Sequence, residues 1–219
     1  MFIIQDKQGG LMNLQQQKPK KNKRRISLKL LTIGGVITLL LGLGIAYLII
    51  DDRAVAHYNL GVNLLKEGSY QTAIIEFRKA IRLKPGFAEA HYNLGFALWE
   101  QSEKQGLWNA TLNKFEAENE FRKTVKLKPN LAEAHYMLGA ALGDKKDFEG
   151  ADAELFKAIQ LRPNYTGAFR LLALSLDLQH RDQEARQYWI KVLESGENLD
   201  PEEINKIKAR LKEKNKSWN

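Results

Sequence analysis

The chain has 219 residues, with 34 Lys and Arg against 26 Asp and Glu, and no cysteine. The missing thiols exclude a disulfide framework and thiol catalysis. The net charge of +8 is uneven, because residues 1–50 hold eight basic side chains and one acid, which leaves +1 on residues 51–219. A nucleic-acid binder needs its basic face on the folded part of the chain, so no nucleic-acid partner is expected.

In chain order, residues 1–29 read as a basic, glutamine-containing arm predicted to be disordered and cytoplasmic. Nothing before Met12 looks structural, so Met12 serves as well as Met1 for a start. Leu30 to Ile50 then runs 21 residues without a charge. At about 1.5 Å per residue, such a helix spans about 31 Å, a bilayer core. Lys18, Lys20, Lys21, Lys23, Arg24, Arg25 and Lys29 precede it, and Asp51, Asp52 and Arg53 follow. The basic excess belongs on the cytoplasmic side. The expectation is a single-pass signal anchor over 30–50, with the lipid bilayer as one partner and the rest of the chain in the periplasm or another extracytoplasmic compartment. A cleaved signal peptide is the rival, since Ala54-Val55-Ala56 resembles a cleavage site. The apolar run is too long for that reading, and two aspartates intervene. Gly34, Thr38, Gly42 and Ala46 fall at four-residue spacing, a stripe that would let two spanning helices approach closely, and make a candidate homodimer contact.

Beyond residue 53 the chain repeats itself. His57-Tyr58-Asn59-Leu60-Gly61 is followed by Leu64, Ala73, Phe77, Ala80 and Pro85. His91-Tyr92-Asn93-Leu94-Gly95 is followed by Leu98, Ala117, Phe121 and Pro129, and His135-Tyr136-Met137-Leu138-Gly139 by Leu142, Ala151, Leu155, Ala158 and Pro163. A period of this size marks stacked helix pairs, whose default function is binding. Glycine inside a helix costs about 1 kcal/mol against alanine. Its recurrence at 61, 95 and 139 therefore predicts a close helix approach, with Ala73, Ala117 and Ala151 opposite and Phe77, Phe121 and Leu155 filling the gap. Each proline ends a second helix, because it lacks an N–H and disfavours helix in the residue before it.

These residues resemble the tetratricopeptide repeat (TPR) family. The resemblance implies an all-α helical-hairpin solenoid, a right-handed superhelix, here preceded by one transmembrane helix. It divides residues 54–199 into four repeats, 54–87, 88–131, 132–165 and 166–199. The second carries ten extra residues between Trp99 and Ala117, predicted to lengthen both helices so that Leu107, Trp108, Leu112 and Phe115 cover one another. An exposed Trp108 would instead make a second contact site. The fourth repeat is degenerate, with Phe169, Leu172, Ala173, Leu176, Ala185 and Trp189, but Glu197 in place of the proline. Residues 200–219 form a capping helix opened by Asp200 and Pro201, with Glu203 three residues after the cap. Ile204, Ile207 and Leu211 share its one apolar face.

Four histidines invite a metal reading. His57, His91 and His135 occupy one repeat position in separate units, whose helix axes stand about 8–10 Å apart, too far to converge on one ion. They are predicted to pack, and His180 falls in a turn. No phosphate loop, nucleophile–base arrangement or metalloprotease motif is present, so the chain reads as a non-enzyme with no cofactor, no catalytic residue and no metal site.

The family resemblance implies binding on the concave face, lined by the first helix of each repeat. Carried over, that face comprises Val55, Tyr58, Val62 and Leu65, then Glu89, Tyr92, Asn93, Phe96 and Trp99. Glu133, Tyr136 and Ala140 follow from repeat three, and Arg170, Leu174 and Asp177 from repeat four. The candidate protein-binding groove is Tyr58, Val62, Leu65, Tyr92, Asn93, Phe96, Trp99, Tyr136 and Arg170, with the tyrosines as a ladder of anchors. A subclass of the family grips C-terminal carboxylates with lysines and asparagines. Tyr58 and Val62 replace those polar residues here, and Asn93 alone matches. The expected function is a membrane-anchored adaptor, scaffold or assembly factor for membrane-proximal protein complexes. The alternative is a self-associating structural spacer without a client peptide.

Overall fold

The computed structural model describes residues 22–104, 107–195 and 199–216. The described residues form nine helices and no strand. They are α1 (Asn22–Lys66), α2 (Tyr70–Leu83), α3 (Ala88–Ser102), α4 (Leu107–Leu127), α5 (Ala132–Asp144), α6 (Phe148–Leu161), α7 (Thr166–Leu178), α8 (Asp182–Glu194) and α9 (Pro201–Lys216). Contacts divide the chain into two compact units, Met1–Ile49 and Ile50–Asn219.

Within the first unit, α1 begins at Asn22, seven residues before the end of the expected arm at 29. The reason is local. No Gly or Pro lies between Asn22 and Lys29, and Lys, Arg and Leu are good helix formers. The rest of the arm lies outside the described residues. Val36, Leu39, Leu40, Leu41, Leu43, Ile45 and Ile49 are all exposed on this unit. Among the described residues no helix is long and apolar enough to cross a membrane. Several side chains of the expected 30–50 span, those of residues 30–35, 37, 47 and 48, lie outside the described residues. Thr38, Gly42 and Ala46 are exposed, and a Cβ on Gly42 would meet nothing within 4 Å. Gly34 is outside the described side chains.

The second unit is the repeat array. The C-terminal part of α1 packs on α2 through Gly61 against Phe77 and His57 with Glu76, and α3 pairs with α4, α5 with α6 and α7 with α8, with α9 following against α8. The repeated glycines do what their spacing predicts. A Cβ on Gly61 would stand 2.6 Å from the Phe77 ring, one on Gly95 2.7 Å from the Phe121 ring, and one on Gly139 2.7 Å from Leu155 Cγ. Ala73, Ala117 and Ala151 are buried beside them, and Phe77 and Phe121 are fully buried. Each such phenylalanine contributes about 1.5–3 kcal/mol relative to an exposed one. The second helices stop where expected: the Lys84 and Arg162 N–H groups still reach Ala80 and Ala158, one residue before each proline.

One core runs from Ala73 to Ala151, and a second runs from Leu155 through Trp189 to Ile207. Tyr136 packs against both. The degenerate fourth repeat is thus built like the others, with Leu172, Ala173, Leu176 and Ala185 fully buried. Trp189 donates through Nε1 to Asp177 at 2.8 Å. The expected cap of α9 forms in half: Asp200 accepts from the Glu202 N–H at 3.0 Å, but Glu203 turns to Arg170 instead of back to the cap. Ile207 is buried, with Leu211 packed beside the same core.

The ten-residue insertion lengthens chiefly α4, which has 21 residues against 14 in α2 and in α6. Leu112 and Phe115, expected to be covered, are 62% and 55% exposed, and Lys145 Nζ stands 5.8 Å over the Phe115 ring. The Leu107 and Trp108 side chains lie outside the described residues.

Candidate partner-binding groove

The three repeated histidines hold a feature that their spacing does not announce. His57 Nδ1 stands 2.6 Å from Glu76, His91 Nδ1 2.5 Å from Glu120 and His135 Nδ1 2.6 Å from Glu154. His91 Nε2 also donates to the Pro85 carbonyl at 2.9 Å, and His135 Nε2 to the Pro129 carbonyl at 3.0 Å. Each of these two rings therefore ties its own hairpin to the turn leaving the previous repeat. A carbonyl only accepts, so Nε2 carries a proton, and the Nδ1–carboxylate contact shares one more. His91 and His135 are buried in the packing, as expected, and are in addition hydrogen-bonded clasps, while His57 is only partly buried. The sequence signal was the Glu one residue before each core residue, at Glu76-Phe77, Glu120-Phe121 and Glu154-Leu155. In repeat four both partners change, and Phe169 faces Tyr188 with ring centroids 6.2 Å apart.

Burial would raise the Glu120 pKa, but the hydrogen bonds from His91 and Lys123 outweigh it and hold the carboxyl below its usual range. Glu118 behaves alike, with Lys145 and Arg122 overcoming its burial. Glu118 and Asp152 also bridge repeats, since each accepts from the hairpin turn of the following unit, Lys145 at 2.8 Å and Arg181 at 3.0 Å.

Of the predicted tyrosine ladder, Tyr58 and Tyr136 reach into the following unit and Tyr92 packs within its own. The Tyr58 ring lies 4.8 Å from Phe87, and its hydroxyl accepts from Asn93 Nδ2 at 3.1 Å. The one residue matching a carboxylate-gripping asparagine is therefore already engaged. Tyr92 packs on Phe121 at 6.1 Å, and burial pushes its phenol up to about 12. Tyr136 meets Tyr165 at 4.9 Å and lies over Gly167. Val62, Leu65 and Phe96 are partly buried against the first core. Arg170 is drawn away to Glu203 at 2.8 Å.

Trp99 is the predicted residue that lines an open space. It borders a cavity of about 240 Å³ with Gly139, Ala140, Gly143 and Asp144 of α5, Phe148, Ala151 and Leu155 of α6, and Leu171, Leu174, Ser175 and Leu178 of α7. Ala140 and Leu174, also expected on this face, join it; Gly143, Phe148, Leu171 and Leu178 were not anticipated. Lys114, from the lengthened α4, lies 5.1 Å over the Trp99 ring and bridges Asp144 at 3.1 Å and Glu103 at 3.3 Å. Burial alone would lower the Lys114 pKa, yet the two carboxylates outweigh it and keep the ammonium above its usual value. The other charges of this series are paired as well, Glu89 with Lys128 at 2.9 Å and Glu133 with Arg162.

The TPR repeat pattern matches residues 63–102, and the tetratricopeptide repeat pattern matches residues 132–165. The chain carries tetratricopeptide repeats. Among solved structures, that of MamA superposes with a TM-score of 0.59 at 25% identity, over 66% of this chain and 79% of the other. The pilF protein of Pseudomonas aeruginosa gives a TM-score of 0.58 at 24% identity, over 74% of this chain and 67% of the other. The first TPR of Spaghetti (RPAP3), solved with the HSP90 peptide SRMEEVD, gives a TM-score of 0.53 at 20% identity, over 59% and 95%. No curated protein matches the sequence. The TPR array is a protein-interaction module, and the described residues hold no group of His, Asp and Glu placed to bind a metal ion.

Proposed function

We propose that this chain is a membrane-anchored adaptor whose repeats bind a membrane-proximal protein partner on the face lined by α3, α5 and α7. The observation that carries the reading is the cavity bordered by Trp99, Ala140 and Leu174, an apolar opening where the neighbouring charges are already paired. Packed repeats bury their apolar faces against one another. An apolar hollow left open on such an array is a place for something else to fill. The partner is a protein segment without a required C-terminal carboxylate, because Asn93 is spent on Tyr58. The role is binding, not catalysis, and needs no cofactor.

Support for the anchor comes from the uncharged run Leu30–Ile50 and its basic flank. It comes also from the exposed apolar side chains of Val36, Leu39, Leu40, Leu41, Leu43, Ile45, Ile49 and Ile50, the kind of helix surface that lipid covers. The basic flank orients the N-terminus to the cytoplasm and the repeats to the periplasm or a comparable compartment. A photo-crosslinking residue at Phe96, used in native membranes with the intact chain, tests the reading. A discrete adduct with a membrane-associated protein, lost when Trp99 becomes alanine, is expected. Only self-adducts, or none from a folded chain, would overturn it.

The self-associating spacer is the second reading, favoured by the open, exposed surface at Thr38, Gly42 and Ala46. It requires the particle mass in detergent to fall when Gly42 is replaced by leucine, which the adaptor reading does not.

A further inference from the structure

His91 and His135 each present both ring nitrogens to acceptors. For His91 these are Glu120, 2.5 Å from Nδ1, and the Pro85 carbonyl, 2.9 Å from Nε2. For His135 they are Glu154 at 2.6 Å and the Pro129 carbonyl at 3.0 Å. A neutral imidazole has one N–H and serves one acceptor only. Both contacts of a ring are therefore satisfied together when it carries two protons. The carboxylates suit such a cation. Lys123 donates to the other oxygen of Glu120 at 2.7 Å, and the Glu154 side chain is 27% exposed to water. Each carboxylate thus stays ionised and leaves the shared proton with the ring.

The two acceptors of each ring belong to different repeats. Glu120 and Glu154 lie on α4 and α6, within the hairpin of their own histidine, whereas Pro85 and Pro129 lie in the turns that leave the preceding hairpins. The charged carboxylate is the stronger acceptor. A ring that gives one proton to solvent therefore keeps Nδ1–H on the carboxylate, and its bare Nε2 then faces the carbonyl oxygen, lone pair against lone pair. The other charges around these rings do not change in that step. Beside Glu120 they are Lys123, Arg78, Arg82 and Glu116, of which Arg78 and Glu116 are paired at 2.7 Å. In the two turns they are Lys84, paired with Asp51 at 2.7 Å, and Lys128, paired with Glu89 at 2.9 Å. Glu154 has His135 as its one partner among the described residues. Carboxylates, lysines and arginines titrate far from neutrality, whereas histidine changes charge near it. Two positions lack the arrangement. His57 is 35% exposed and meets Glu76 alone among the described residues, and repeat four has Phe169 against Tyr188 in place of the pair.

We propose that His91 and His135 are proton-operated latches: doubly protonated, each fastens its hairpin to the turn of the preceding repeat, and loss of the Nε2 proton as pH rises lets that turn go. The Nε2–carbonyl bond stabilises the junction while the ring is a cation and is lost as pH rises through the titration of the ring. The array is therefore pH-sensitive at the junctions of repeats one with two and two with three, and not in this way at the junction of three with four. This stands apart from the adaptor reading and survives its failure.

The test uses the full chain in detergent micelles, with isotopically labelled histidine rings, titrated across neutrality. Ring-nitrogen NMR should show His91 and His135 passing from two protonated nitrogens to the tautomer with Nδ1–H and a bare Nε2. Hydrogen exchange, corrected for the intrinsic rate at each pH, is followed on peptides spanning 84–91 and 128–135, with 162–169 as the control turn. Protection of the first two should fall at least about tenfold over the same titration, the factor that one hydrogen bond to a charged group is worth. Protection of 162–169 should not follow it. His91→Phe with Glu120→Tyr, and His135→Phe with Glu154→Tyr, copy the Phe169–Tyr188 pair that repeat four already folds around. Each double variant should flatten the pH response of its own turn and leave that of the other. A neutral ring that keeps Nε2–H, or protection of both turns that ignores the ring titration, overturns the proposal. Should a double variant fail to fold, the tautomers and exchange of the parent chain decide the matter.

Discussion

Replacing Gly95 by alanine sets two known effects against each other. In an open helix the change stabilises by about 1 kcal/mol, because alanine is the better helix former. Here the new methyl carbon would lie 2.7 and 2.9 Å from two carbons of the Phe121 ring. Phe121 is fully buried and packed against Tyr92, so the ring cannot swing aside without displacing a neighbour. Forcing a methyl group into such a core costs about 1–3 kcal/mol, and the closeness of the approach puts this case in the upper half of that range. The net expectation is a loss of about 1–2 kcal/mol, or a melting temperature lower by several degrees for an array of this size. Urea denaturation of the intact chain followed by circular dichroism measures it. Gly143→Ala is the internal control: its Cβ meets only Ala151 at 3.9 Å, so the helix-propensity gain of up to about 1 kcal/mol should appear undiminished. If Gly95→Ala matches Gly143→Ala in raising the midpoint, the close-approach account of the repeated glycines is wrong.

The clasps make a second expectation. Glu120→Ala leaves His91 buried without its carboxylate and should cost about 3 kcal/mol or more, the loss seen on breaking one side of a buried pair. Glu154→Ala should cost less, because the Glu154 side chain is 27% exposed, and thermal denaturation of the two variants ranks them. The carboxyls of Glu76, Glu118 and Glu120 are held below their usual pKa. Their contribution to stability is present above the ordinary carboxylate range and is lost as pH falls through the depressed values. Urea midpoints should therefore drop steeply below about pH 4.5, and less steeply in Glu120→Gln, which has one such carboxyl fewer. Lys146 adopts φ 63° in the α5–α6 turn, where a side chain is disfavoured. Lys146→Gly should stabilise by up to about 1 kcal/mol in the same urea assay, whereas Gly68→Ala, at φ 73° in the α1–α2 turn, should destabilise.

Much of the array was legible because one set of constraints is written three times over. Gly61, Gly95 and Gly139 are costly in a helix, so their recurrence required a partner helix at that point, and Phe77, Phe121 and Leu155 were found there. The insertion was visible as a change of period, but the placing of its side chains was not: apolar Leu112 and Phe115 predict burial, and both are exposed. The clasps were missed for a different reason. Histidine at a packing position and glutamate on a helix surface are each unremarkable alone, and only the stacking of helices 19 to 29 residues apart brings Nδ1 to the carboxylate.

Local propensity and a fixed period write into the sequence the repeat helices, their stops at the prolines, the pairing into repeats and the placing of small residues where helices cross. The sequence also held the charge-free run before residue 51 and its basic flank. Which residues of the expected groove border the hollow is a matter of tertiary packing. Tyr58 and Tyr136 reach into the following unit, Tyr92 packs on Phe121 of its own repeat and Arg170 pairs with Glu203, while Trp99 borders a hollow. That outcome depends on what stands opposite each side chain, and the absence of bulk at Ala140 and Gly143 becomes a cavity only when α3 and α7 close around it.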